Sequence, residues 1–211
     1  MTEMEPTVFL VDDDPAILTS LSRALGERGF QVSAFPSAES FLKNRQRDVP
    51  GCLILDQGMP KMTGLELQEV MVNDGIALPI IFITGHGDVP QSTQALRAGA
   101  IDFLQKPFRQ ELLIERIREA LSVDKITRKQ SIKRSEAIGK FEKLTDRERE
   151  IASMIISDPA SSSCKTIARK LAISHRTVEH HRTRILEKMN VRSIGELVEL
   201  GVNSQLLTDG D

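Results

Sequence analysis

Acidic, hydroxyl and amine side chains follow several short apolar runs in the first half of the sequence. Asp12 and Asp13 follow the run TVFLV, Asp56 ends CLILD, Thr84 ends PIIFIT, and Lys106 follows DFLQ. Clustered carboxylates are the oxygen ligands that Mg²⁺ prefers, while a lysine and a hydroxyl can hold and neutralise phosphate oxygens. This set of groups suits phosphoryl transfer to a carboxylate, with Asp56 as the nucleophile.

The apolar runs that precede these residues predict five β-strands. Helical periodicity follows the first, third and fifth runs. Strands separated by helices pair in parallel through right-handed crossovers, and ligands of such sheets bind outside the carboxyl ends of the strands. The first half therefore predicts an α/β fold, a doubly wound five-stranded parallel sheet. The predicted strands lie at 7–11, 31–35, 52–55, 79–84 and 102–105.

Each of these residues also has an ordinary structural interpretation. Asp14 followed by Pro15 is typical of a helix N-cap and the first residue of a helix. Taken alone, Asp12 could be a turn residue, Thr84 a hydroxyl at the start of a loop, and Lys106 a surface lysine. Their joint placement at four strand ends favours the chemical interpretation.

The charge distribution indicates two domains with different tasks. The chain has 211 residues and a net charge of −2. Residues 1–121 carry 11 basic and 17 acidic residues, whereas 165–192 carry 8 basic and 2 acidic ones. The two cysteines are far apart in sequence and do not indicate a disulfide framework, and no apolar run is long enough to span a bilayer. We therefore expect a cytoplasmic protein without a membrane partner.

The second half lacks strand patterns and predicts a small all-α domain. Residues 122–141 are polar and basic, and form either a flexible linker or a continuation of the preceding helix. Thr145 with Glu148, and Ser193 with Glu196, are typical of capping boxes that open helices. The stretch KTIARKLAISHRTVEHHRTRILEKM has the layout of a helix-turn-helix DNA-binding motif. The predicted divisions are a domain at 1–121, a linker at 122–141 and a second domain at 142–211.

The longer helix of this motif has an apolar and a polar side. At 100° per residue, the inward side carries Val178, Ile185, Leu186 and Met189. Arg182 also falls on that side, and the sequence does not identify its partner. Candidate base readers are Arg176, Glu179, His180 and Thr183, and Thr177 is a further candidate DNA contact. Candidate phosphate contacts, which fix register without reading sequence, are Lys165, Arg184 and Lys188.

The motifs LVDDD, LILDQGMP, IIFITGHGD and GAIDFLQKPF resemble the receiver domain of bacterial two-component response regulators, of the FixJ type in particular. The resemblance covers residue 7 to about 121 and implies a flavodoxin-like fold. It implies that Asp56 accepts phosphate from a sensor histidine kinase. It also implies that Asp13 and Asp56 bind Mg²⁺ directly, with Asp12 assisting and the carbonyl of Gly58 as a further ligand.

The same resemblance implies how phosphorylation is relayed. Thr84 turns toward the phosphate, Lys106 pairs with it, and the aromatic ring at Phe103 then moves inward. The change spreads to a face around residues 89–120, built by the helix before the fifth strand, that strand and the helix after it. That face pairs two receivers into a homodimer. The family also places a cis peptide bond before Pro107.

LTDRERE, TIARKLAISHRTVEHH and KMNV resemble the LuxR/FixJ-type DNA-binding domain over about 142–205. A longer loop, SDPASSSC, departs from the usual pattern. Together the resemblances imply a transcription factor controlled by phosphorylation, not an enzyme, whose partners are a kinase, double-stranded DNA and, as a further candidate, RNA polymerase. Two alternatives remain open. One is a magnesium-dependent phosphatase, and the other is a DNA-binding regulator whose receiver only dimerises.

Overall fold

The computed structural model describes residues 4–46, 48–85, 95–96 and 99–207. The chain divides into two compact units, Met1–Thr127 and Arg128–Asp211. Across the described residues, none of the helices combines the length and the apolar character that crossing a bilayer would require.

The first unit alternates strands and helices in the order that the sequence predicts. All five predicted strands form, and their ends differ from the predicted ones by at most one residue. The elements are β1 (Thr7–Val11), α1 (Pro15–Gly26), β2 (Gln31–Phe35), α2 (Ala38–Asn44), β3 (Gly51–Asp56), α3 (Gly64–Asn73), β4 (Ile80–Thr84), β5 (Asp102–Gln105) and α4 (Gln110–Phe141). Helix α2 was not predicted, because seven residues are too few to show a helical repeat.

The five strands form one parallel sheet in the order β2-β1-β3-β4-β5. This is the doubly wound, flavodoxin-like order, and the prediction of the fold class is confirmed. Alternate residues of each strand face opposite sides of the sheet. Phe9, Leu53 and Phe82 enter one apolar core with residues of α2 and α3, while Leu10 and Ile54 enter the other with residues of α1 and α4.

Helix α4 continues without a break through residues 122–141, the segment for which the sequence left a linker or a helical continuation open. Asp124 is 1 % exposed, and its Oδ2 accepts a hydrogen bond of 2.9 Å from the backbone N–H of Gly51. Gly51 itself packs tightly, since a Cβ there would lie 1.9 Å from the carbonyl oxygen of Thr7. The helical continuation thus begins at a buried contact with the start of β3.

Only part of the predicted dimerisation face, around residues 89–120, lies among the described residues. Of the helix expected before β5, Ala95 and Leu96 are helical, and Ala95 is buried in the core. Residues 86–94, 97 and 98 lie outside the described residues, so that part of the prediction has no structural counterpart here.

The second unit is helical throughout its described part, as predicted. After the end of α4 it contains α5 (Asp146–Ser157), α6 (Cys164–Lys170), α7 (His175–Met189) and α8 (Ile194–Asn203). These helices surround one apolar core to which Ile151, Ile167, Val178 and Leu197 contribute. Helices α5 and α8 approach closely at Gly201, where a Cβ would lie 2.7 Å from the side chain of Ile156.

The two predicted capping boxes have different outcomes. Thr145 and Glu148 form both bonds of a capping box at the start of α5, which confirms the first. Ser193 caps α8 by accepting a bond of 3.1 Å from the N–H of Glu196. The second box is nevertheless wrong in its reciprocal half. The Glu196 carboxylate accepts from the N–H of Arg192, one residue earlier, at 2.8 Å.

Candidate acidic site and nucleic-acid interface

The chemical groups of the first unit gather where the strand order reverses. Strands β1 and β3 are neighbours, and Asp12 follows β1 while Asp56 ends β3. In open parallel sheets such a reversal leaves a crevice at the carboxyl ends of the strands, which is where ligands bind. Asp12 and Asp56 are 1 % and 6 % exposed, so both carboxylates are withdrawn from water at the edge of the sheet.

Lys106 joins the two carboxylates. Its Nζ donates to Oδ1 of Asp56 at 2.7 Å and to Oδ2 of Asp12 at 3.0 Å. The position of Lys106 is fixed because its backbone N–H donates to the carbonyl oxygen of Thr84 at 2.7 Å. The peptide bond between Lys106 and Pro107 is cis, as the family resemblance implied.

Two carboxylates that share one ammonium leave an excess of negative charge. Burial raises the pKa of Asp12, and the hydrogen bonds from Asp14 and Lys106 offset only part of that rise. Burial alone would lower the pKa of Lys106, but its bonds to Asp56 and Asp12 outweigh burial and raise it. The site therefore holds its ammonium firmly and still favours additional positive charge.

The remaining oxygen of Asp56 is oriented by the loop that follows β3. The N–H of Gly58 donates to Oδ2 of Asp56 at 2.7 Å. Helix α3 starts close beneath the site, because a Cβ on Gly64 would lie 2.7 Å from the Asp56 carbonyl oxygen. Asp56 thus presents its carboxylate between the Lys106 ammonium and the backbone of the β3–α3 loop.

Asp13 is exposed beside the buried pair, and Asp14 caps α1 by accepting from the N–H of Ala16 at 2.8 Å. The N-cap interpretation of Asp14 is confirmed. Within the described residues, no three histidine, cysteine or acidic side chains converge closely enough to form a metal-binding group. The donors still fit Mg²⁺, which commonly uses one or two carboxylates and keeps several waters.

The two predicted switch residues lie on the neighbouring strands. Thr84 is buried at the end of β4, opposite Gln105 in β5. Phe103 is half-buried in β5, and its ring centroid lies 5.8 Å from that of Phe82. The sheet register therefore brings Thr84, Lys106 and the two carboxylates to one edge, with Phe103 on the adjacent strand.

In the second unit, α7 has the two faces that its sequence predicts. Val178, Ile185 and Met189 are buried, and Leu186 packs against the same core, which confirms the inward side. Ser174 caps the helix by accepting from the N–H of Thr177 at 3.1 Å. The exposed candidate DNA contacts on α6 and α7 are Lys165, Arg176, Thr177, Glu179, His180, Thr183 and Arg184.

Lys188 differs from the other candidates. It is half-buried, and its Nζ donates to Oε2 of Glu148 at 2.5 Å. Burial alone would raise the pKa of Glu148, but the bonds from Lys188 and Thr145 outweigh it and lower that pKa. Sequence reasoning missed this pair, because its members are 40 residues apart and Glu148 already had a role in the capping box.

The partner of Arg182 is the other residue that the sequence did not identify. Nη1 of Arg182 donates to Sγ of Cys164 at 2.8 Å, which joins α7 to the first residue of α6. Both cysteines are free thiols, and Cys52 is buried in β3. Burial raises the pKa of Cys52 to about 12, so this thiol stays protonated at neutral pH.

Two protein families match the two units. Residues 8–118 match the response regulator receiver domain, and residues 142–200 match the bacterial regulatory proteins of the luxR family. The chain belongs to the response regulators. It combines a receiver domain with a LuxR-type DNA-binding domain, as the motifs of the sequence indicated.

Curated relatives and solved structures agree with this assignment. The response regulator protein TmoT of Ectopseudomonas mendocina is 40 % identical over 200 residues, which cover 95 % of this chain and 90 % of the relative. The transcriptional regulatory protein FixJ of Rhizobium meliloti is 38 % identical over 197 residues, covering 93 % and 95 %. The structure of the response regulator StyR has a TM-score of 0.78 and 40 % identity, and the match covers 93 % of this chain and 98 % of that one.

Proposed function

We propose that Asp56 is the phosphoacceptor of this response regulator. The observation that carries the proposal is the placement of its buried carboxylate at the strand reversal, 2.7 Å from the Lys106 ammonium. A sensor histidine kinase would supply the phosphoryl group. The N–P bond of its phosphohistidine breaks as a carboxylate oxygen of Asp56 forms the new O–P bond, and the histidine leaves with the electron pair.

The residues around Asp56 would hold Mg²⁺ in this reaction. The proposed direct ligands are the carboxylates of Asp13 and Asp56 and the carbonyl of Gly58, and Asp12 would assist them. The bound ion would supply positive charge that neutralises the phosphoryl oxygens. The excess negative charge shared by Asp12 and Asp56 supports this assignment, since one ammonium balances only one of the two carboxylates.

Phosphorylation would move the groups that now bind the free carboxylate. Lys106 would pair with the new phosphate, Thr84 would donate its hydroxyl to it, and Phe103 would turn inward beside β4. We infer that these shifts alter the face around residues 89–120 and drive the formation of a receiver homodimer. A dimer presents two DNA-binding domains to two half-sites, which adds the contacts of both.

The exposed side of α7 would enter the major groove. Arg176, Glu179, His180 and Thr183 are the proposed base readers, with Thr177 beside them. The proposed phosphate contacts are Lys165, Arg184 and Lys188, the last alongside its ion pair with Glu148. The chain would act in the cytoplasm as a regulator of transcription rather than as an enzyme, with RNA polymerase as a further partner.

The decisive experiment combines phosphorylation with a measurement of mass in solution. The full chain is incubated with Mg²⁺ and acetyl phosphate, and light scattering reports its mass, while intact-mass spectrometry counts phosphoryl groups. Asp56→Asn is the matched control, since it keeps the size and hydrogen-bonding shape of the side chain. We expect one phosphoryl group and a shift from monomer to dimer in the wild type alone.

Each departure from that result identifies a different error. A phosphoryl group without a change in mass would exclude dimerisation as the output and leave Asp56 as the acceptor. An unmodified wild-type chain that still binds DNA as a dimer would favour the alternative function, a phosphorylation-independent regulator that uses its receiver as a scaffold. Continued release of inorganic phosphate from small phosphoesters would favour the phosphatase.

A further inference from the structure

The exposed middle of helix α4 is strongly basic. We define the basic arm as residues 125–134. It carries Lys125, Arg128, Lys129, Lys133 and Arg134, and no acidic residue. Every residue of the arm is exposed except the half-buried Arg128. In chain order the arm follows the buried Asp124 and precedes the buried Ala137, so both ends of this segment are held by protein contacts.

Three lysines of the arm form a ladder on one side of the helix. Lys125, Lys129 and Lys133 are spaced four residues apart, which places them within about 80° of one another and about 6 Å apart along the axis. Like charges at this spacing repel each other and weaken a helix. Within the described residues, none of the three takes part in an ion pair. The helix therefore carries a repulsion that an anionic partner would relieve.

The composition of the arm favours nucleic acid over protein as that partner. Protein interfaces depend on apolar or aromatic anchors that are buried at their centre. The arm has no aromatic residue, and its exposed Ile126 and Ile132 lie about 120° apart, so they form no common patch. Contacts with DNA phosphates need only mobile cations at regular intervals.

The arm is also joined to the unit that binds DNA. Phe141, at the end of α4, packs against the apolar core that α5 and α7 share. Lys129 and Lys133 belong to the same unit, and they lie about 18 Å and 12 Å from Phe141 along the helix. A helix of this length spans several base pairs, since the duplex rises 3.4 Å per pair.

We propose that the basic arm binds the phosphate backbone of DNA and adds non-sequence-specific affinity to the contacts of α7. This inference rests on the proposed use of α7 as the DNA-binding helix. It assigns Lys125, Lys129 and Lys133 as phosphate contacts that lie outside the LuxR-type domain, which matches only residues 142–200.

The test is the salt dependence of binding to a 40-base-pair duplex of mixed sequence, measured by fluorescence anisotropy with the full chain. The triple variant Lys125→Gln, Lys129→Gln, Lys133→Gln is compared with Arg28→Gln, Lys43→Gln, Lys61→Gln. The second variant removes the same charge from exposed sites of the receiver unit. We expect the slope of log K against log salt to fall by about 0.9 for each lysine that contacts a phosphate. A variant with arginine at all three arm positions should keep the wild-type slope.

The outcomes separate this inference from the function on which it rests. If the two glutamine variants have equal slopes of log K against log salt and the wild type binds normally, the proposed role of the basic arm is wrong. The proposed use of α7 in DNA binding would then stand. A wild-type chain that fails to bind the duplex both before and after treatment with Mg²⁺ and acetyl phosphate would instead contradict DNA binding as a whole. If the arm variant keeps its slope but loses zero-length cross-links between lysines and carboxylates of another copy, the arm binds an acidic protein surface and the proposal is wrong.

Discussion

Each unit of the protein contains a lysine that pairs with a buried carboxylate, and the two sites differ in charge balance. Lys106 faces two carboxylates, Asp12 and Asp56, at 3.0 and 2.7 Å. Lys188 faces a single one, Glu148, which also accepts from the N–H of Thr145 at 2.8 Å. The pKa of Asp12 is raised, whereas that of Glu148 is lowered. The first site keeps an excess of negative charge, while the charges of the second site balance.

The two sites therefore differ in how fully the charge of the buried carboxylate is compensated. A buried carboxylate that lacks its full complement of positive charge costs stability, which proteins accept at functional sites. A buried carboxylate that contacts an ammonium and a backbone N–H has its charge and its hydrogen bonds satisfied. Removing either charged partner leaves the other charge buried and unpaired, which destabilises the fold. The contact distance alone does not distinguish the two sites.

The largest effect is expected at the complete pair. Glu148→Ala leaves the Lys188 ammonium half-buried without a partner and removes half of the capping box, so it should cost about 3 kcal/mol. Hydrogen exchange of the amides in α5 and α7 measures the loss. The control is Glu150→Ala, on the same helix, which breaks a partly exposed pair with Arg147 and should cost less than about 1 kcal/mol. Similar losses in the two variants would contradict the structural role of Glu148.

A smaller effect should appear when both partners of that pair are removed together. Lys188→Met alone leaves the Glu148 carboxylate unpaired and should cost about 2 kcal/mol. In the double variant Glu148→Gln, Lys188→Met no charge remains to be satisfied. Its cost should therefore fall short of the summed costs of the single variants Glu148→Gln and Lys188→Met by about 1 to 2 kcal/mol. The same exchange experiment gives the coupling, and additive costs would show that the two side chains act independently.

At the acidic site, a substitution is expected to stabilise the protein, whereas the substitutions at Glu148 and Lys188 destabilise it. Asp12→Asn removes an incompletely balanced buried charge and keeps the oxygen that accepts from the N–H of Asp14, so it should stabilise the receiver unit by about 1 kcal/mol. Thermal unfolding without divalent cations measures the change. Asp14→Asn is the control, because asparagine caps a helix as well as aspartate and should have almost no effect. A lower melting temperature for Asp12→Asn would mean that attraction to Lys106 outweighs burial.

The stability differences between these variants and the wild type should also depend on pH. The lowered pKa of Glu148 gives stability that is fully present above its unfolded value of 4.5 and is lost as the pH falls through the folded value. The raised pKa of Asp12 has the opposite consequence, a cost that is present above the folded value and disappears at lower pH. The deficit of Glu148→Gln and the advantage of Asp12→Asn should therefore both vanish on acidification, as unfolding titrations of each variant would show.

The sequence was sufficient to predict the five strands and the polar residues at their ends. Continuous apolar runs identified the five strands because strands covered on both faces have few polar residues. Helix α2 was missed since it contains only two turns. The reciprocal half of the second capping box was wrong because the Glu196 carboxylate accepts from the N–H of Arg192 and not from that of the N-cap residue Ser193.

Sequence by itself determined that acids, a hydroxyl and a lysine would follow strands of one parallel sheet. Residue order places these groups at the strand ends, and the helices between the strands favour parallel pairing. Tertiary structure alone decided that one ammonium serves two carboxylates, that Glu148 meets Lys188, and that Arg182 meets Cys164. These pairings depend on distances between elements that are far apart in the chain. Hydrophobic packing sets those distances, and no local pattern of residues encodes them.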